Sequence, residues 1–507
     1  MCLAVFLSAF LVLSWTVVYN LYFHPLSKFP GPRYAATTRL VKHYIAMRGD
    51  LHTFLKAQHD KYGPVVRFAP DLLSYTDPEA MKGVYGHRTA SHKLNPKDHD
   101  FFTKEINGVA ALISIEDIEE HGRVRRIFTN AFSDKALGEQ ETLIRGYVDT
   151  LIGRLRESVA TKPTEPVDMV KMYNCTTFDI MGDLSFGSSL GLLKTGQYTP
   201  WVESVFGAFK ALQLLLMFRE YPILKPISSL FVPRSLTEKQ VAHFKFSADR
   251  VDRRLEEKTD RPDIWALVLN SMEQGNALSR GQMHSNALLF MTAGTETTAT
   301  ALSGITHYLL QCPDKLAKLT SEIRGAFSSE DELTMANLRR LPYLQAVIDE
   351  GLRIYPPTPT GNSRLVAEGG NLICGEHLPG GIGISISLYA AFHNSENFHL
   401  PDSFVPERWL PAATKQDPAY RAFDNDKKEL MQPFLVGPYA CLGKNLAYHE
   451  MRLILAKVLW HFDFLKAPSA PGSEDGMGKY YQPDWHVQKT YTLWEKPPLW
   501  VQLQKRA

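Results

Sequence analysis

The chain reads as mainly α with a small β region, carried behind an N-terminal transmembrane helix. Three observations predict this. Residues 2–19 run without a charge. One long helical pattern extends from the capping box Ser279-Arg-Gly-Gln282 to Cys312-Pro313. Strand-like sequence is confined to short stretches such as 65–68, 72–75 and 490–494. No Gly/Ser linker, internal repeat or long low-complexity tract divides the 507 residues. The expected organisation is therefore an anchor at 1–23, a proline-rich linker at 24–49 and one large domain at 50–507.

Composition excludes more than it identifies. Hydrophobic content of 44% and 22% charged residues are ordinary for a globular protein. A net charge of +2 points neither to a nucleic-acid binder nor to a specialist for acidic substrates. Cys2, Cys175, Cys312, Cys374 and Cys441 are scattered, with no C-x-x-C pair. That fits a reducing compartment and excludes a zinc ribbon.

The apolar run 2–19 is just long enough to cross a bilayer, more comfortably if it continues to Phe23. A cleaved signal peptide is the competing reading; the run lacks a basic leader and an A-x-A site. Lys28, Arg33, Arg39 and Lys42 all follow the span, which places the bulk of the chain on the cytosolic side. Phe29-Pro30-Gly31-Pro32 is a stiff hinge, because proline fixes φ and removes donors. Residues 50–62 are helical and stop at Gly63-Pro64. Val65–Phe68 and Leu72–Tyr75 form a hairpin, and Asp77-Pro78-Glu79 starts a helix. From 89 to 118 periodicity is poor. His121 to Phe132 reads as a helix with a basic face. Asn174-Cys-Thr176 matches a glycosylation acceptor, meaningless in the cytosol. Residues 200–232 are rich in Phe, Leu and Pro and suit either a substrate channel or core packing.

Inside the long helix lies Ala293-Gly294-Thr295-Glu296-Thr297-Thr298. Gly294 weakens a helix by up to about 1 kcal/mol relative to alanine. The stretch reads as a packing kink or as a bulge that meets a ligand. Glu350-Gly-Leu-Arg353 is a helical i,i+3 ion pair. Residues 411–428 are polar and expected to be an exposed meander, and 467–479 a loop.

Phe434-Leu-Val-Gly437-Pro-Tyr439-Ala-Cys441-Leu-Gly443 carries the chemistry. A lone cysteine sits in a turn between glycines, with a helix opening behind it. Thiolate is a soft iron ligand, and it is favoured near a helix N-terminus. Glycine lets backbone approach a flat partner. Phe434 offers an aromatic face to the sulfur. Behind the turn, Ala447, Met451, Ile454 and Val458 mark an apolar face, with His449, Glu450, Arg452 and Lys457 mostly elsewhere. A buried structural cysteine is the plain alternative. With 27 Phe, 33 Gly and 5 Cys, F-x-x-G-x-x-x-C-x-G arises by chance in roughly one such chain in a thousand.

At these residues the sequence resembles the cytochrome P450 family, of the microsomal, fungal secondary-metabolism type. The resemblance implies the P450 fold, with haem b between two central helices and Cys441 as its axial thiolate on iron. Phe434, Tyr439 and Gly443 belong to the ligand loop, where the family usually has Arg or His at the position of Tyr439. His121 and Arg125 match a propionate-binding pair on one helix face, and Arg364 a third propionate contact. Glu296 and Thr297 match the acid–alcohol pair that relays protons to bound dioxygen. Arg408, in Phe404-Val-Pro406-Glu-Arg408-Trp409, completes a buried trio with Glu350 and Arg353. Arg123, Arg126 and Lys135 offer positive charge to an acidic electron donor.

The implied reaction is monooxygenation of an apolar small molecule with O2 and electrons from an NADPH-cytochrome P450 reductase. The implied setting is the endoplasmic reticulum lipid membrane, single-pass, with a cytosolic catalytic domain and no nucleic acid. Two other classes compete: a haem-thiolate isomerase or dehydratase working without a reductase, and a non-catalytic membrane haem binder. The intact Glu296-Thr297 pair argues against both.

Overall fold

A computed structural model describes residues 2–90, 92–221, 223, 234–257, 261, 263–273, 277–411, 418–467 and 483–506. The apolar run forms helix α1 (Cys2–Val18), extended by a π-helical turn at Tyr19–Phe23. Its large side chains are exposed, among them Phe6, Phe10 and Trp15. That is the burial pattern of a helix whose apolar surface the rest of the chain does not cover. The proline segment behind it is docked rather than free. Pro30 O accepts from Arg67 N–H at 2.7 Å, and a Cβ on Gly31 would lie 2.1 Å from Arg67 O.

The β structure described is a set of short strands in four sheets. The largest has the order β1 (Val65–Ala69), β2 (Leu72–Tyr75), β7 (Gly383–Ile386), β4 (Arg364–Leu365). β1 and β2 are the expected hairpin, with Val65 opposite Tyr75. β7 joins β2 in parallel, which brings Arg364 into the sheet from far along the chain. A second sheet orders β3 (Val167–Asp168), β11 (Trp500–Lys505) and β8 (Phe462–Lys466). β5 (Asn371–Ile373) pairs with β6 (Glu376–Leu378). The expected strand at 490–494 is instead a tight hairpin, β9 (Thr490–Tyr491) and β10 (Leu493–Trp494). Its turn forces Thr492 to φ 77°, which explains why an unbroken strand does not form.

Helices make the body. α2 (Ile118–Thr129) carries His121 and Arg125, and the Asp117 carboxylate caps it by accepting from Glu120 N–H. α3 (Asp134–Thr161), α4 (Met169–Phe186) and α5 (Pro200–Glu220) follow. α6 (Arg280–Gln311) starts at the Ser279–Gln282 capping box and stops where Pro313 opens the next helix. α7 (Pro342–Ile354) and α8 (Lys444–His461) pack beside it.

α6 and α4 are buried along most of their length, in one apolar core that also holds α7 and α8. α6 stays α-helical through Gly294, with no bulge. The glycine serves packing: a Cβ there would meet Met181 Sδ of α4 at 2.8 Å. Nor is α8 amphipathic, since His449, Glu450 and Lys457 are buried like its apolar face.

Buried Asn174 donates to Tyr198 Oη at 3.0 Å, so its sequon is closed in any compartment. The 411–428 stretch is not wholly exposed. Residues 412–417 lie outside the described residues, as do most of 222–233 and 467–479, but Phe423 and Asp426 are buried.

Candidate active site

The cysteine turn is closed by Cys441 N–H donating to Phe434 O at 2.8 Å. Leu435 and Gly437 take left-handed φ of 58° and 79°. Gly437 is obligatory, because a Cβ would meet Tyr85 O at 1.9 Å. A Cβ on Gly443, by contrast, would meet no protein atom within 4 Å. The space beside Gly443 is therefore open to a flat group. Phe434 packs its ring on Tyr448 of α8, 5.2 Å between centroids.

Cys441 keeps an accessible surface, yet its sulfur lies deep enough for burial to raise its pKa. Both hold for a thiol that lines an interior space. Gly443 N–H and the cations Arg125 and Lys444 pull in the other direction, toward thiolate. The other described cysteines lack that setting. Burial pushes the Cys374 thiol, at the β5–β6 turn, up to about 12, and the carboxylates of Asp77 and Glu79 add to the rise. Burial also pushes Cys175 up to about 12, with Asp179 beside it. Cys312 is likewise raised by burial and by Asp314.

A cation cluster converges next to the turn. Arg125 Nη1 donates to Ala440 O at 2.8 Å, touching the loop itself. Arg364 is buried, with its guanidinium 5.1 Å from the Tyr439 ring centre. The His121 ring meets Tyr439 edge-on at 4.7 Å. Its pKa is lowered to about 3, by burial first and then by Lys97, Arg125 and Arg364, so it is neutral at physiological pH.

Lys97 is the member that sequence reasoning missed. It comes from the aperiodic stretch and lies buried 4.7 Å from the Tyr439 ring centre. It donates to Leu112 O at 2.8 Å and Ile115 O at 3.0 Å. Burial, with Arg364 and Arg125 adding, lowers its pKa to about 7. Only its pairing across an isolated bridge with Arg364 reveals it, and no local pattern could. Among the described residues, Lys97, Arg125 and Arg364 form no ion pair. The Tyr439 hydroxyl and Arg364 Nε are buried without a hydrogen-bond partner. Buried cations with orphaned donors call for an anion. Haem supplies two carboxylates and a flat ring to this thiol, so the residues fit the group.

Glu296 and Thr297 sit on α6. Thr297 Oγ1 donates to Ala293 O at 2.7 Å, and Thr297 and Ala293 keep some accessible surface on a helix that is otherwise largely buried. Glu296 is buried and paired with Lys496, a partner absent from the sequence reading.

Behind the site, Glu350 accepts from Arg353 at 2.8 Å and pairs with Arg408 at 3.0 Å, all three fully buried. Trp409 Nε1 and Val405 N–H also donate to Glu350. Arg408 is shared with buried Asp426, which gives the trio a fourth member. Of the surface cations, Arg123 is occupied by Glu120. Nothing in the structure assigns Arg126 or Lys135 a partner surface.

A helical domain that sets one thiol in a glycine turn, beside a cluster of cations without ion-pair partners among the described residues, fits a haem-thiolate oxidoreductase. Known proteins agree. The Cytochrome P450 family model matches residues 30–478. The chain is 44% identical over 489 residues to Cytochrome P450 monooxygenase FUM2 of Gibberella moniliformis, covering 96% of this chain and 99% of that one. It is 43% identical to Cytochrome P450 monooxygenase efuB of Hormonema carpetanum (96% and 93%) and 41% identical to Cytochrome P450 monooxygenase atr2 of Stereocaulon alpinum (96% and 92%). The chain belongs to the cytochrome P450 family. It is accordingly a monooxygenase that binds haem through a cysteine thiolate.

Proposed function

We propose that the chain is a membrane-anchored monooxygenase that oxidises an apolar small molecule in fungal secondary metabolism, with Cys441 as the thiolate ligand. The electron donor in this reading is an NADPH-dependent reductase, and α1 anchors the protein in the endoplasmic reticulum membrane. One observation carries the ligand assignment: Cys441 sits in the closed glycine turn whose neighbouring Ala440 O accepts from Arg125, next to the buried Lys97 and Arg364.

The balance is substrate, dioxygen, two electrons and two protons giving hydroxylated product and water. Haem supplies the activation of dioxygen, pushed by the thiolate. The chain's residues do the rest. Arg125, Arg364, Lys97 and the Tyr439 hydroxyl would hold the propionates, with neutral His121 packed against Tyr439. Gly443 would give the ring room, and Phe434 would help shape the turn around the sulfur. Thr297 and Glu296 hold and move protons on α6.

The test is the spectrum of the reduced carbon monoxide complex in Cys441→Ser and Cys374→Ser. Loss of the thiolate spectrum in the first and its retention in the second is the expected result. A thiolate spectrum surviving in Cys441→Ser would falsify the assignment. NADPH consumption with added reductase separates a monooxygenase from an isomerase or an inert haem binder.

A further inference from the structure

Lys496 follows β10 by two residues, and its side chain is only 2% exposed. Its ammonium donates to Glu296 Oε1 and, at 2.7 Å, to Thr300 Oγ1 one turn further along α6. The segment that delivers it is clamped on both sides. Before it, the Trp494 ring stacks on Tyr355 at 4.6 Å and its indole N–H donates to Pro356 O at 2.8 Å. After it, Leu499 N–H donates to the Asp168 carboxylate at 3.1 Å, and Leu499 O accepts from Met169 N–H at 2.8 Å. Trp485 Nε1 donates to Pro497 O at 3.1 Å. Burying a lysine forfeits up to about 2 kcal/mol of side-chain entropy besides its hydration. Here that loss secures one contact with a single acid.

The second oxygen of that acid is different. Glu296 Oε2 is buried and has no hydrogen-bond partner. Tyr198 and Tyr355 also face the carboxylate, both kept neutral by burial, and from α8 the side chain of Glu450 approaches the neighbouring Thr298. Lys496 is the one cation in contact with Glu296 among the described residues.

We infer that Lys496 is a positioning residue for proton delivery: its ammonium fixes the Glu296 carboxylate by one oxygen and leaves the other free to take and pass a proton beside Thr297. This rests on Glu296 and Thr297 being the proton-handling pair. Thr300 orients the ammonium, and the clamped segment keeps it from following the carboxylate out of place. A C-terminal stretch distant in sequence is thereby part of the oxidation machinery.

Burial raises the Glu296 pKa and Lys496 opposes that rise. Without the lysine the carboxyl keeps its proton to higher pH, so steps that need the carboxylate recover only at higher pH.

The test uses purified haem-loaded enzyme with reductase, following NADPH oxidation and peroxide release against pH in water and in deuterium oxide. Lys496→Met should retain the reduced carbon monoxide spectrum, slow NADPH oxidation about tenfold and raise the peroxide share. Its acidic limb should move to higher pH. Lys496→Arg, which keeps the ion pair, should return within about twofold of wild type. Thr300→Val removes the ammonium's second anchor and should shift the profile in the same direction. If Lys496→Met fails to load haem, Thr300→Val decides, and an unshifted profile overturns the inference. Glu296→Gln separates the two levels of the argument. If it slows the enzyme while Lys496→Met does not, Lys496 has no positioning role. If Glu296→Gln itself changes nothing, the underlying proton-handling pair is wrong.

Discussion

Glu450 on α8 is a fully buried acid with neither carboxyl oxygen hydrogen-bonded. Burial raises its pKa from 4.5 to about 8, with the nearby Thr298 hydroxyl pulling the other way. The native protein therefore holds a proton at Glu450 that the unfolded chain releases above its own pKa. Between those two values the native state binds more protons, so stability falls as pH rises and levels off above about 8. Each pH unit in that window costs about 1.4 kcal/mol. At pH 7 the accumulated loss is about 3 kcal/mol, a large share of a typical domain's stability. Glu450→Gln keeps the shape and deletes the titration. Its advantage over wild type should be near zero at pH 4.5 and grow to about 3 kcal/mol at pH 7. Urea unfolding of the haem-loaded protein at a series of pH values measures it. An advantage that does not change with pH would refute the reasoning, because shape and hydrogen bonding alone are independent of pH.

Two further expectations come from packing and topology. Gly294→Ala and Gly304→Ala both place a Cβ in contact, against the flexible Met181 (2.8 Å) and the Tyr355 ring (2.5 Å) respectively. The first should fall within about 1 kcal/mol of wild type, because methionine yields and alanine favours helix. The second should cost about 1–3 kcal/mol, because an aromatic ring stacked on Trp494 cannot step aside. Equal melting temperatures for the two variants contradict this. Protease added to sealed microsomes should digest the domain behind α1, and protection would place it in the lumen.

The helices and hairpins that were legible in sequence are those specified locally. Ser279 and Gln282 cap α6 by their own side chains. Asp77 caps the helix that opens at Pro78. The trio was legible because Glu350 and Arg353 share a helix face, with Arg408 supplied by a motif. Its fourth member, Asp426, was not, because a polar stretch gives no sign that one of its acids turns inward. Lys97 and Lys496 were illegible for a related reason. Each reaches its site from a segment without periodicity, and each is a residue type normally assigned to the surface. Gly294 is the reverse case: the sequence leaves a packing kink and a ligand-meeting bulge both open, and only the contact with α4 decides for packing.

Tyr439 is the position where the structure changes the expectation most. An arginine there, as the family usually has, suggests tighter haem binding through a charged hydrogen bond. The geometry adds a cost. The Tyr439 ring centre is 4.7 Å from Lys97 Nζ and 5.1 Å from the Arg364 guanidinium. A third cation placed near that ring would repel each by about 3 kcal/mol at an effective dielectric of about 20. The haem-free protein would bear that in full, or Lys97 would release its proton, which a pKa already lowered to about 7 makes easy. The two propionates would offset it in the loaded protein. Tyr439→Arg should therefore lower the melting temperature of the haem-free protein and widen its gap from the haem-loaded form. Tyr439→Phe removes only the orphaned hydroxyl, and it should quicken haem loss to an acceptor several-fold while leaving haem-free stability equal or slightly higher. Unchanged haem loss in Tyr439→Phe makes the ring, not the hydroxyl, the reason for the tyrosine. A Tyr439→Arg haem-free protein as stable as wild type would show that Lys97 and Arg364 are screened from this position, and the charge argument would fail.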